Sequence, residues 1–281
     1  MDAKIKLALE KQANEIRKDV VSAVHSAKSG HPGGSLSLTD TLTYLYFYKM
    51  NVNPENPKDP DRDRFVLSKG HTAPALYSVL AEKGYFDKSE LLKLRKTGAM
   101  LQGHPDMKGT PGIDMSTGSL GQGISTAVGM ALGGKISNKS YTVYTALGDG
   151  EIQEGQVWEA AMAAAHYKLD NLVAVVDNNN LQIDGKVSDV MSVYPITDKF
   201  RAFGWNVTTC DAHDFDSIDA AFEKTKEKNG KPWVIVQKSI KGKGVSFMEN
   251  EAKWHGSAPN DEQYAIAMAD LEKIGEELEA K

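Results

Sequence analysis

Apolar segments of strand length alternate with segments of helical period through the second half of the chain. No other feature of the 281 residues constrains the fold as much. Residues 141–147, 172–177, 205–209 and 233–237 read as strands. Residues 153–167, a stretch near 195–203, and 215–228 read as the helices around them. Near-continuous apolar strands linked through helices predict an α/β fold: a parallel β-sheet with helices on both faces.

Upstream, residues 3–28 have the period of an amphipathic helix, with Ile5, Leu9, Ile16, Val20 and Val24 near one face. "SGHPGG" breaks it, and residues 38–49 read as a buried helix. "RFVLS" is a short strand, followed by "KGH" and a helix over 73–83. Asp87 and Glu90 resemble a capping box opening a helix over 88–96. Residues 97–118 form a long Gly/Pro loop of the kind that carries function, and 120–134 a helix of small residues. Residues 261–280 read as a last helix, charged enough to lie at the surface. The expected organisation is one domain, 1–281, with terminal helices that dock on a partner.

The net charge of −5 and the lack of a concentrated basic face argue against nucleic acid as a ligand. The one cysteine, Cys210, excludes an intrachain disulfide and any CxxC metal site, and fits a reducing cytoplasm. The charged first residues do not read as a signal peptide, and no apolar run has the length of a membrane span.

The stretch "GDGEIQEGQVWEAAMAAAHYKLDNLVAVVDNNN", Gly148 to Asn180, places an acid between glycines at one strand end and an asparagine run at the next. Parallel strands of a βαβ unit emerge at the same edge, so Asp149 and Asn179 are expected to face each other there. Two oxygen ligands and a nearby carbonyl suit Mg²⁺ or Ca²⁺. The flanking glycines let backbone N–H groups approach a diphosphate. The combination points to a metal-bound diphosphate.

"GMALGGKI" misses the P-loop pattern at Ile136 and follows a helix, and "GSLGQGIS" does not space as a dinucleotide fingerprint. Both read as packing or loop signals. Of seven histidines, His31, His71, His104 and His255 sit in tight polar loops beside glycine. A neutral-to-cationic switch near pH 7 makes these four candidate proton carriers. His25, His166 and His213 read as structural, and no HExxH pattern supports zinc.

"SGHPGG", "DRFVLSKGH", "GHPD", "STGSLGQGIS", "GDGEIQEG", "VVDNNNLQIDG", "IKGKG" and "WHG" together resemble, in order, segments of the amino-terminal part of transketolase. The resemblance covers nearly the whole chain and implies the thiamine diphosphate-binding fold. It implies Mg²⁺, for which Ca²⁺ can substitute, held by Asp149, Asn179 and the Leu181 carbonyl. Gly148, Gly150, His71 and Lys241 would lie by the diphosphate, Gly118 and Leu120 by the aminopyrimidine, and Ile183 by the thiazolium. His31, His104 and His255 would face the ketose and relay protons, His255 also touching the cofactor. Glu154 would link neighbouring active sites. Gly34 stands where some relatives carry a hydroxyl residue.

The resemblance stops short of the family's pyrimidine-binding and carboxyl-terminal domains. It therefore implies either the first domain of a longer protein or, the favoured reading, half of a split enzyme that transfers a two-carbon ketol unit between sugar phosphates only with a separate carboxyl-terminal subunit, in a heterotetramer of two copies of each. Two alternatives stay open: a thiamine diphosphate enzyme for another sugar phosphate, and a non-catalytic cofactor-binding homologue.

Overall fold

The computed structural model describes residues 1–281. Helix α1, Ala3–Ala27, opens on Asp2, whose carboxylate accepts from the Lys4 and Ile5 N–H groups. It closes at Lys28 in a left-handed conformation. "SGHPGG" does end this helix, but its second half opens the next. Pro32 takes the first position of α2, Pro32–Tyr44, which loosens into one π turn at Leu45–Lys49. The second helix thus begins earlier than residue 38, because proline costs nothing where no intrahelical partner for its N–H exists.

Strand β1, Arg64–Leu67, leads to α3, Ala73–Lys83. The expected helix over 88–96 is a 3₁₀ segment, Lys88–Lys93, capped by Asp87. Leu91 and Leu94 are both buried, and a spacing of three brings them to one side at three residues per turn. Residues 97–118 carry no helix or strand. That loop is held where Tyr77 Oη donates to the Gln102 and His104 carbonyls at 3.0 and 2.9 Å, and Thr117 Oγ1 to the Leu67 carbonyl at 2.7 Å.

Then follow α4, Gln122–Ile136; β2, Val143–Gly148; α5, Gly155–His166; and β3, Leu172–Asn178. A small hairpin, β4 (Leu181–Gln182) with β5 (Gly185–Lys186), follows, with a short turn of helix α6, Val187–Val190. No sequence pattern marks an element at this hairpin. The chain continues with α7, Ile196–Ala202; β6, Asn206–Asp211; α8, Phe215–Lys224; β7, Trp233–Lys238; and α9, Asp261–Glu279.

The five long strands pair in the order β1-β2-β3-β7-β6, every pair parallel. Side chains of β3 alternate between two cores. Val173 and Val175 join the layer of α1, α2, α3 and α8, whereas Leu172, Ala174 and Val176 join that of α4, α5 and α7. At about 1.5–3 kcal/mol per fully buried Val or Leu, this two-sided burial is what makes the sheet the rigid element of the molecule.

Helix α9 is less superficial than its charge suggests. Ala267 and Leu271 are fully buried in the same core as α1, and Asn14 of α1 donates to the Leu271 carbonyl at 2.9 Å.

Candidate active site

The carboxyl ends of β1, β2, β3 and β7 lie side by side, and each continues into a polar segment: Ser68–Lys69, Asp149, Asn179 and Ser239–Lys241. Ligands of open parallel sheets bind at such an edge. A cavity of about 200 Å³ opens there. Its walls include His71, Leu120, Gly148, Asp149, Gly150, Glu154, Asn179, Leu181, Ile183, Lys241 and His255, from six separate stretches of sequence.

The strand register explains why Asp149 and Asn179 converge. Gly148 pairs with Asp177, and the Asp149 N–H donates to the Asp177 carbonyl at 3.3 Å. Asp149 Oδ2 accepts from the Asn180 N–H at 2.5 Å and Oδ1 from the Gly150 N–H at 2.9 Å. Burial, and then the charge of Asp177, push the Asp149 carboxyl up to about 6. Asn179 Oδ1 accepts from the Leu181 N–H at 3.0 Å, which orients the amide. Asn180 stands at φ 58, a left-handed turn that asparagine tolerates.

Lys241 closes the opposite side. Its ammonium donates to the Leu181 carbonyl at 3.0 Å and contacts His255 Nδ1 at 2.9 Å. Since an ammonium can only donate, His255 accepts through Nδ1 and carries its proton on Nε2. Burial, and next the charge of Lys69, lower Lys241 to about 8.

The four loop histidines form one cluster. His71 stacks on His255 with centroids 4.9 Å apart, and His31 lies 5.3 Å from His71, 5.6 Å from His255 and 6.3 Å from His104. The ring of His104 rests on Gly118, where an added Cβ would meet ring carbons at 3.1 Å and φ is +149. The expected switch near pH 7 is displaced in this chain. Burial, followed by Arg95, lowers His31 to about 4; burial, followed by Lys241, lowers His255 to about 3. His71 and His104 are lowered as well, again chiefly by burial. The cluster is therefore neutral at pH 7, a set of hydrogen-bonding imidazoles rather than cations.

Three charged groups of the site escaped the sequence reading. Lys69 and Asp177, 2% and 1% exposed, form a buried ion pair. Asp177 also accepts from Ser37 Oγ at 2.6 Å, from Ser239 and from Asn179 Nδ2 at 3.4 Å. Burial is the largest single influence and would raise its carboxyl, but the charge of Lys69 together with the hydrogen bonds from Lys69, Ser239 and Ser37 holds it below the usual range. Glu151 is buried, accepting from Ser68 Oγ at 2.5 Å and from the Gly121 and Gly148 N–H groups at 3.0 Å each. Glu154, by contrast, is exposed at the rim. A buried-strand aspartate within "VVDNNN" is a readable signal, because an acid in an apolar run demands a partner. Which lysine supplies it is not readable.

The glycine-rich stretches set aside as packing or loop signals pack at some glycines only, since an added Cβ at Gly129 or Gly133 would meet nothing within 4 Å. Gly123 lies so close to Ser68 that a Cβ would meet its Cα at 2.5 Å, and Gly134 sits against the Tyr141 ring. A Cβ at Gly34 would meet Thr72 Cγ2 at 2.8 Å. His213 also fits its structural reading. Nδ1 lies 2.7 Å from Asp40 Oδ2, and Nε2 accepts from the Ile240 N–H at 2.9 Å, fixing the backbone just before Lys241.

A parallel sheet with a polar cleft at its carboxyl edge is the arrangement of the ligand-binding α/β proteins, and comparison with known proteins narrows the class. Residues 9–273 match the family described as "Transketolase, thiamine diphosphate binding domain". The chain is 49% identical over 267 residues to the 6-deoxy-6-sulfo-D-fructose transketolase subunit SqwG of Clostridium sp. (strain MSTE9), covering 95% of this chain and 97% of the relative. It is 45% identical over 271 residues to an apulose-4-phosphate transketolase subunit of Phocaeicola vulgatus, covering 96% of each. Among solved structures, transketolase of Pichia stipitis in complex with sedoheptulose 7-phosphate superposes with a TM-score of 0.87 at 31% identity. That match covers 98% of this chain and 45% of the Pichia chain. Transketolase of Campylobacter jejuni gives 0.86 at 32% identity, covering 99% and 47%. The chain thus spans about half the length of these solved transketolases. It belongs to the transketolase family of enzymes and corresponds to their amino-terminal, thiamine diphosphate-binding half.

Proposed function

We propose that this chain is the cofactor-anchoring subunit of a two-chain, divalent-metal-dependent transketolase that moves a two-carbon ketol unit from a ketose to an aldose. The observation that carries the reading is the convergence of Asp149, Asn179 and the Leu181 carbonyl with Lys241 and His255 around one cleft. All three candidate metal ligands are oxygens, the chemistry of Mg²⁺ or Ca²⁺. The donor set fits such an ion because Asp149 is a buried carboxylate with two N–H donors and no cation of its own.

When bound, thiamine diphosphate supplies a carbon nucleophile that adds to a carbonyl and stabilises the charge left when a C–C bond breaks. Asp149, Asn179 and Leu181 would hold the cation, and Gly148, Gly150, His71 and Lys241 would bind the diphosphate. Gly118 and Leu120 would line one ring site and Ile183 another. Neutral imidazoles at His31 and His104 would bind sugar hydroxyls and take a proton at a free ring nitrogen, and His255, whose Nδ1 accepts from Lys241, would hand on the proton of its Nε2–H.

Leu120 and Ile183, 36% and 70% exposed, are apolar groups of the cleft that this chain leaves uncovered. They support a site completed by a second polypeptide, the carboxyl-terminal subunit, in a heterotetramer of two copies of each. Exposed Glu154 suits a contact across that assembly. On this reading 1–281 act as one domain, and a cytoplasmic setting fits the buried thiol of Cys210. The names of these two relatives carry different sugars, one sulfonated and one phosphorylated, so an acidic ketose is the substrate class.

The test mixes this chain with a candidate carboxyl-terminal subunit, thiamine diphosphate and Mg²⁺, and screens acidic ketose donors against aldose acceptors. Ketol transfer that needs both chains and stops with EDTA is expected. Turnover by this chain alone, or full turnover in EDTA, would refute the reading.

A further inference from the structure

Arg95 links the two segments that carry His31 and His104. Nη1 donates to Ser29 Oγ at 3.2 Å, two residues before His31, and Nη2 to the Gly103 carbonyl at 3.4 Å, one residue before His104. Its own N–H donates to the Leu101 carbonyl at 2.8 Å, pinning the base of the same loop. The guanidinium lies against the Gly103 α-carbon, where a Cβ would meet Cζ at 3.0 Å and Nε at 3.2 Å. Arg95 itself stands at φ 61, a conformation that arginine seldom adopts and that surrounding contacts must hold. Its side-chain hydrogen bonds go to these two loops alone.

We propose that Arg95 is a positioning residue whose guanidinium clamps the Ser29–His31 and Gly103–His104 segments together, and so fixes the spacing at which the two imidazoles address one sugar. This rests on the reading that His31 and His104 face the substrate. Planar bidentate donation is what the clamp needs; a lysine keeps the charge but offers one donor point. The charge has its own signature. After burial, Arg95 is the largest influence lowering His31 and His104. The other groups facing His31 are His71, His104, His255 and Lys241, and His104 faces His31 and the Gly118 backbone.

The first arm follows histidine ring signals by NMR during a pH titration of the isolated chain. Arg95→Gln is expected to raise the His31 and His104 midpoints by about 0.5 pH unit, the size expected for a partly screened charge at this range. The His166 signal should be unchanged, and Arg95→Lys should leave all midpoints in place. The second arm adds the partner chain and cofactor. Arg95→Lys and Arg95→Gln are each expected to lower kcat about tenfold with cofactor affinity unchanged, the cost of loosened orientation. Ser29→Ala should lose part of that, and combining it with Arg95→Gln should add nothing further. Melting temperatures accompany each variant, and Arg95→Lys, which keeps the stem packing, decides the matter if Arg95→Gln is destabilised. Wild-type kcat in Arg95→Lys and Ser29→Ala overturns the clamp, as do losses that multiply in the double variant. Wild-type turnover in both His31→Ala and His104→Ala would instead sink the underlying site reading, while the titration arm still tests what Arg95 does to the two rings.

Discussion

The Lys241 ammonium reaches across the cleft to the Leu181 carbonyl, 3.0 Å away, so the segment after β7 is tied to the hairpin after β3. The same carbonyl is a candidate metal ligand. Lys241→Met should therefore weaken thiamine diphosphate retention by roughly 10–100-fold, the worth of one charge-assisted hydrogen bond. Because burial brings Lys241 down to about 8, retention in the wild type should also decline as pH rises through that value. Calorimetric titrations at pH 7 and 9 measure both; identical affinities for variant and wild type would remove Lys241 from the cofactor site.

The Lys69–Asp177 pair lies directly beneath Asn179. Asp177→Asn strands a buried ammonium and should cost about 3–5 kcal/mol in urea unfolding, whereas Lys69→Met with Asp177→Asn should recover most of the loss. A double variant no more stable than the single one would show that the serine contacts, not the charge pair, carry the stability.

Replacing His255 or His31 by alanine should lower turnover by about 10²–10⁴ while cofactor still binds, the range for a positioned acid–base group. Steady-state kinetics with the partner chain, beside cofactor calorimetry, separates the two effects. Activity within a few-fold of wild type for both variants would rule out a proton-transfer part for this pair.

Far from the cleft, Asp19 on α1 is buried near Glu82, and both contact Lys88. Burial raises the Asp19 carboxyl from 3.8 to about 7, against which Lys88 pulls it down. A carboxyl raised in the folded state contributes stability that is complete below about pH 4 and is lost as pH rises to about 7. Asp19→Asn should flatten that decline, which amounts to a few kcal/mol at most. Urea melts at pH 4.5 and 7.5 decide it, and an unchanged pH slope in the variant would count against the assignment.

The strand edge that builds the cleft was legible in the sequence because Asp149 and Asn179 end apolar runs, and a parallel pairing forces such ends together. The histidine cluster was legible as four glycine-flanked loop residues, though not the mutual distances that make it neutral. Burial and neighbouring cations set those, and neither has a local signature. Glu151 was overlooked beside Glu154 for a related reason. Both occur in "GDGEIQEG", and only the path of the 3₁₀ turn after β2 sends the first inward to the Gly121 and Gly148 N–H groups and leaves the second outside. The α2 boundary was misplaced because "HPGG" signals a break and a helix start equally well. Lys69 could not be assigned to Asp177, since the two are far apart in sequence and meet only through the crossovers.

The pairing of Gly148 with Asp177 has a consequence for how this protein can change its length. An extra turn in α5 would swell the surface and leave the cleft intact, because the ladder and not the connecting helix sets which residue arrives at the edge. One residue lost from β2 would slip the strand by a notch, turn every side chain to the opposite layer, and deliver a glycine where the carboxylate now stands. Insertions and deletions tolerated by descendants of this gene should therefore gather in the crossovers and leave the strands untouched.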